Sequence, residues 1–293
     1  MLRRSFLLSA GAFCMMPGTA CCAQMESRLR NIIARVPGSI GMYARLMDDS
    51  PPFFTYAAEE SFPAASTIKL LIMLTAFNLA DRDPNTLHEQ VSIRRTDIVA
   101  GSPFLADARG GETYTVATLI QPMIQLSDNS ASNALISHFG FEKINAIAQR
   151  YRLRNTHLKR HFLDYTAVVH QHQNVTTPGD MGRLLFAIER GSREGVTTFA
   201  TPQSCRAMIN IMLGQRDGEK IRAGIPGPTL VANKTGEVSG VRNDAAIVDP
   251  FGDTPFVLTV FTKHLTSHRA GVEAIQRIAR AVFDNVTATR GNL

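Results

Sequence analysis

The sequence predicts a two-lobed α/β protein, in which one antiparallel sheet is assembled from both ends of the chain and a block of helices is inserted between them. Three observations carry this. Strand patterns are confined to residues 38–57 and 229–262. Between them, from 66 to 213, apolar residues recur at helical spacing. Amphipathic helical patterns then flank the strand regions at both chain ends. With 293 residues, 44% hydrophobic and 19% charged, the chain can bury a large core, and wholesale disorder is excluded.

Residues 25–36 place Leu29, Ile32, Ile33 and Val36 on one helical face. Residues 38–47 form a strand pattern that stops at the turn signal Asp48-Asp49-Ser50-Pro51, and 53–57 is its hairpin partner. Residues 66–79 are apolar all round, which fits a buried helix. Further helices are expected over 116–125, 130–139, 141–151, 178–190 and 204–213. The fourth has a clear start. Thr177 can cap, Pro178 suits the first helical position, and Asp180 faces the positive end of the helix dipole. After Gly214 the period changes. Residues 229–234, 244–249 and 256–262 read as strands, and 267–285 closes the chain with a helix bearing Val272, Ile275, Ile278, Ala279 and Val282. A cleft is expected between the two lobes, where sites commonly fall.

The N-terminus reads as an address. Arg3 and Arg4 precede a mostly apolar run over residues 6–16, then Pro17-Gly18 and small residues. This is a signal-peptide layout, too short to span a membrane as a helix. Arg3-Arg4-Ser5-Phe6-Leu7 also resembles a twin-arginine export signal. Cleavage is expected after Ala23, leaving a periplasmic or secreted protein. A lipid anchor at Cys21 or Cys22 is disfavoured, because Gly18 or Thr19 stands where a lipobox wants Leu. Removal of the segment takes two arginines and no acid, so a net charge of +6 falls to +4. That excess is spread thinly, so no nucleic-acid partner is implied. Of four cysteines only Cys205 would remain, too few for an internal disulfide, and it reads as a small apolar side chain on a helix.

Three short motifs carry chemistry. They are Ser66-Thr67-Ile68-Lys69, Ser127-Asp128-Asn129 and Lys234-Thr235-Gly236. Each alone is weak, since Ser66 fits a helix cap, Ser127-Asp128-Asn129 a turn and Lys234-Thr235-Gly236 a strand end. Together, in this order, they form a known signature of serine acyl-transfer enzymes. A serine hydroxyl needs a base to become a nucleophile. Lys69, three residues on along a helix, shares a face with Ser66. It serves as base only if burial or a neighbouring cation lowers its pKa, and Lys234 is the candidate cation. The backbone N–H groups of Ser66 and Glu237 are candidates for an oxyanion hole. Ser127 is placed to relay a proton to the leaving nitrogen.

The motif set resembles class A β-lactamases and the related penicillin-binding serine enzymes. The likeness extends to residues 97–102 and 111–116, to 127–133 (SDNSASN), and to Thr176-Thr177-Pro178 with Met181. Arg242 resembles the arginine that family members use to bind a substrate carboxylate, joining Asn129, Lys234, Thr235 and Glu237 in the substrate-binding set. The resemblance covers residues 25–290 or so. It implies a five-stranded antiparallel sheet with flanking terminal helices and an inserted all-helical lobe. The lobes divide as 24–64 with 214–293, and 65–213. It also implies no metal and no organic cofactor, a small-molecule substrate (a β-lactam or a cell-wall peptide), and a monomer without an integral membrane span.

One departure stands out. The family carries Arg-x-Glu in its Ω-loop, and that Glu activates the water that hydrolyses the acyl-enzyme. Here Phe162 stands two residues after Arg160. Between Asp128 and Asp180 the acids are Glu142, on a predicted helix, and Asp164. Asp164 is therefore the acidic candidate in the loop, as a substitute base or as a structural hydrogen-bonding group. His157, His161, His170 and His172 lack the spacing and carboxylate partners of a metal site. The expectation is an exported serine hydrolase acylated at Ser66. Two alternatives stay open: a D,D-peptidase-like enzyme that deacylates slowly, and a non-catalytic binder of cell-wall peptides.

Overall fold

The computed structural model describes residues 17–195 and 199–290. Most of the export segment expected over 1–23 lies outside the described residues. The first helix, α1 (Pro17–Ile33), begins earlier than its apolar face suggests. Proline needs no donor at the first helical position, so Pro17 opens the helix rather than breaking it. The helix stops short of Val36 because the residue before Pro37 is pushed out of the α region.

A five-stranded antiparallel sheet follows, in the order β2 (Phe54–Tyr56), β1 (Ser39–Leu46), β9 (Phe256–Lys263), β8 (Val241–Val248), β7 (Val231–Val238). Ser39 pairs with Lys263 and Leu46 with Phe256, so the first and last long strands lie side by side at its centre. The central strands are near-continuous apolar runs because both faces are covered. On one face Met42, Ala44, Ala246 and Leu258 pack with Leu29 of α1 and with Ile275 and Ile278 of α10 (His268–Arg290). On the other, Tyr43, Ala245, Ile247 and Phe261 join the core of the helical block. Successive residues of one strand thus serve different cores, as the period of two requires.

The helical block comprises α2 (Lys69–Ala80), α3 (Val116–Gln125), α4 (Asn129–Phe139), α5 (Phe141–Arg150), α6 (Tyr165–Val169), α7 (Pro178–Glu194) and α8 (Pro202–Leu213), with α9 (Ile221–Gly224) after it. Helix α2 is buried from Lys69 to Asn78 and forms the block's axis. Thr177 caps α7 as expected, accepting from Asp180 N. Cys205 is fully buried on α8, where burial pushes its thiol up to about 12. Two short ladders escaped the periodicity. They are β3 (Phe62–Pro63) with β6 (Val175–Thr176), and β4 (Gln90–Ser92) with β5 (Thr113–Thr115), each too short to show a period of two. Strand β7 also runs past the expected end at 234 to Val238, and β8 begins at Val241 rather than 244. Among the described residues no helix is long and apolar enough to cross a membrane.

Candidate active site

The nucleophile candidate sits where the sheet lobe hands over to the helical block. The expected single helix over 66–79 is divided. Residues Ala65–Ile68 form a 3₁₀ turn, and the α-helix starts at Lys69. In a 3₁₀ turn residues three apart eclipse, so Ser66 and Lys69 remain on one side. Ala65, just before the serine, has φ +47°, a conformation costly for a residue with a side chain. Two contacts hold this turn against the sheet. Asn243 Nδ2 donates to Pro63 O at 2.8 Å. Gly236 lies so close that a Cβ there would come within 3.0 Å of both Ala64 O and Ser66 N. Only glycine lets this edge strand approach the serine's backbone N–H.

The second motif arrives by a different route. Pro122 O accepts from Leu126 N and Asp128 N at the end of α3, and Ser127 follows with φ +58°. Asp128 then caps α4 through Ala131 N at 2.8 Å, while its other oxygen accepts from Phe104 N and Leu105 N. The motif's aspartate is thus a buried joint, and its neighbours Ser127 and Asn129 point their polar atoms at Lys69.

Lys69 is wholly buried. Its Nζ donates to Ser127 O at 2.6 Å, Asn129 Oδ1 at 2.8 Å and Ser127 Oγ at 3.2 Å. Lys234, equally buried, donates to Ser127 Oγ at 3.1 Å and Thr235 O at 2.8 Å. Two amines therefore converge on one hydroxyl. Burial and then the Lys234 charge hold Lys69 well below the ordinary lysine range, against the opposing pull of Asp128. Burial lowers Lys234 to about 7, with Asp244 and Asp217 resisting. A lysine so depressed can accept a proton near neutral pH.

The Ω-loop is clasped at its neck. Arg160 donates to Gln173 Oε1 at 2.7 Å, and Asn174 Oδ1 accepts from Lys159 N and Arg160 N. Asn133 pins the backbone of residue 162 from both sides, accepting from Phe162 N at 2.7 Å and donating to Phe162 O at 3.3 Å. That fixes the Phe162 ring 4.3 Å from Lys69 Nζ. Phe162 is only 8% exposed. An aromatic face therefore covers Lys69 from the Ω-loop side. Asp164 is not brought to Ser66. Its Oδ1 caps α6 through Ala167 N at 3.0 Å, and it lines a separate cavity with Asp97 and His161.

Ser66, Asn129, Phe162 and Glu237 line a cleft of about 510 Å³. An adjoining groove is lined by Ser66, Ser127, Thr235 and Asp217. Arg242 is nearby, its Nε 3.5 Å from Glu237 Oε1. The Phe162–Lys69 contact and the Asp217–Lys220 pair at 2.8 Å were not anticipated from the sequence. The departure at 162 was visible there, but the direction of its ring was not.

Residues 24–286 match the Beta-lactamase enzyme family, and the chain belongs to it. It is similar to β-lactamase CTX-M-8 of Citrobacter amalonaticus, at 27% identity over 97% of this chain and 98% of that one. It is also similar to β-lactamase Toho-1 of Escherichia coli, at 31% identity over 71% of each. Among solved structures, PBP-A superposes with a TM-score of 0.80 at 26% identity, covering 92% of this chain and 97% of that one. A PBP-A mutant has been solved as an acyl-enzyme complex with penicillin G. The protein is therefore a β-lactamase-type hydrolase with the class A fold, which sets aside the non-enzymatic alternative.

Proposed function

We propose that Ser66 opens the β-lactam amide through a covalent acyl-enzyme. Lys69, its pKa lowered by burial and by Lys234, removes the Ser66 proton as Oγ bonds to the carbonyl carbon. The oxyanion is received by the N–H groups of Ser66 and Glu237. As the C–N bond breaks, the Ser127 hydroxyl gives its proton to the leaving nitrogen and is resupplied from Lys69. Asn129 orients the substrate, and Lys234, Thr235 and Arg242 face its carboxylate end. The observation that carries this reading is the convergence of two buried lysines on Ser127 Oγ, at 3.2 and 3.1 Å, in the groove that also holds Ser66. The acyl-enzyme known for a PBP-A mutant supports the covalent route.

Deacylation is the slow half. A hydrolytic water needs a base within hydrogen-bond reach. Phe162 occupies the approach to Lys69, and Asp164 is committed to capping α6. This favours a long-lived adduct, as in the D,D-peptidase-like alternative. The protein acts as an exported monomer after loss of residues 1–23, its lobes dividing near residues 64 and 214. Intact-mass spectrometry over time with a penicillin tests the reading. A Ser66 adduct that forms and persists for many seconds is expected. An unmodified chain, or rapid repeated turnover, contradicts the acylation or the deacylation half respectively. N-terminal sequencing of periplasmic protein checks the export step, and an intact Met1 would contradict it.

A further inference from the structure

We infer that Glu237, with Asp217, makes this site discriminate against acyl donors that carry a free carboxylate, because the chain's own carboxylates hold the groups that would receive one. This rests on the acyl-enzyme assignment above. Lys220 is wholly buried, and its Nζ donates to Asp217 Oδ2 at 2.8 Å and to Glu237 Oε1 at 2.5 Å. Arg242 Nε lies 3.5 Å from that same Glu237 oxygen, and its Nη1 is turned to the carbonyls of Val238 and Val241. Asp217 also takes a hydrogen bond from Thr235. Thr235 and Arg242, two groups of the expected carboxylate-binding set, are thus each engaged by an internal acid.

The position of these acids matters as much as their pairing. Asp217, Thr235 and Glu237 line the groove that holds Ser66 and Ser127. The Glu237 side chain is 41% exposed, while Lys220 behind it is closed to solvent. The groove therefore presents carboxylate oxygens and conceals one of their counter-cations. Two acids against Lys220 and Arg242 leave the cluster locally neutral, with Arg216 at the rim and Lys234 deeper in as the remaining cations. An entering carboxylate must displace Glu237 from its partners and meets like charge while doing so. An esterified or amidated acyl donor carries no such charge. The preferred class is an acyl donor that is electroneutral at the end facing Thr235.

The test compares penicillin G with its methyl ester. Second-order acylation constants are measured by intact mass in the wild type, Glu237→Gln and Asp217→Asn. The acid-to-ester ratio is expected to rise about tenfold in Glu237→Gln and severalfold in Asp217→Asn. The second variant gives the same readout if the first does not fold. Adducts on Ser66 with both compounds but an unchanged or falling ratio in the variants overturn the discrimination and leave the acyl-enzyme assignment standing. No adduct with either compound in the wild type overturns that assignment, and this inference with it.

Discussion

The two walls of the cleft are built from the same kinds of contact to opposite effect. On the sheet side and at the base, Lys69, Ser127, Asn129 and Lys234 form a connected polar set beside Ser66, and both buried amines have partners. On the Ω-loop side, equally exact anchoring by Asn133 delivers an apolar ring. In the proposed mechanism the first wall moves protons, while the second places an aromatic face over the same lysine. The same kind of backbone anchoring thus delivers polar groups on one wall and an aromatic face on the other, and under the proposed mechanism the two half-reactions depend on separable walls.

The largest break in this contrast is Ser66→Ala, which should abolish covalent labelling by penicillins while the fold persists. Labelling at full stoichiometry in that variant, read by intact mass, would place the nucleophile elsewhere. Lys69→Ala attacks the same wall and should slow acylation by at least ~10²-fold, the usual loss of a general base. An unchanged rate would assign the proton route to another group. Phe162→Glu sharpens the comparison from the other side. A carboxylate on the Asn133-anchored backbone should shorten the adduct's lifetime by about 10²-fold. An equally persistent adduct would show that the ring is not what blocks water.

A subtler probe is pH. Lys234 has its pKa lowered to about 7, so its charge is present below that value and fades above it. Acylation by a carboxylate-bearing penicillin should therefore decline severalfold as pH rises through 7. Lys234→Arg, which keeps its charge, should remove that descending limb from the pH–rate profile. The smallest effect is expected from Asp164→Asn. Asparagine caps helices about as well as aspartate, so both melting temperature and adduct lifetime should change little. Fast native turnover that collapses in this variant would make Asp164 the base after all.

What was legible in the sequence follows the range of the interactions. Ser66 with Lys69, Ser127 with Asn129, and Lys234 with Thr235 each lie within a few residues, so each motif is visible as a short run, and the three-residue spacing of Ser66 and Lys69 already states that they share a face. The sheet was legible because its strands are apolar runs, and α2 because it is apolar all round. The Phe162–Lys69 contact joins distant parts of the chain through Asn133, and no periodicity encodes which way a loop ring points. The Lys220–Glu237 pair is hidden for the same reason. The expected end of β7 at 234 was wrong because Gly236 and the exposed Glu237 break the apolar pattern, while backbone pairing with Asn243 and Arg242 carries the strand on.

The pairing of Ser39 with Lys263 has a consequence for how the molecule comes into being. During synthesis β1 emerges early, but its long neighbour is made only when nearly all of the chain has appeared. Until then β1 has only the three-residue β2 to pair with, and one flank stays open. The helical block, rich in local contacts, can collapse while the ribosome is still working. The sheet, and with it the approach of Gly236 to Ser66, has to wait. The reactive centre is therefore assembled last, and a chain truncated before Phe256 would carry all three motifs yet lack the central strand that holds their sheet together.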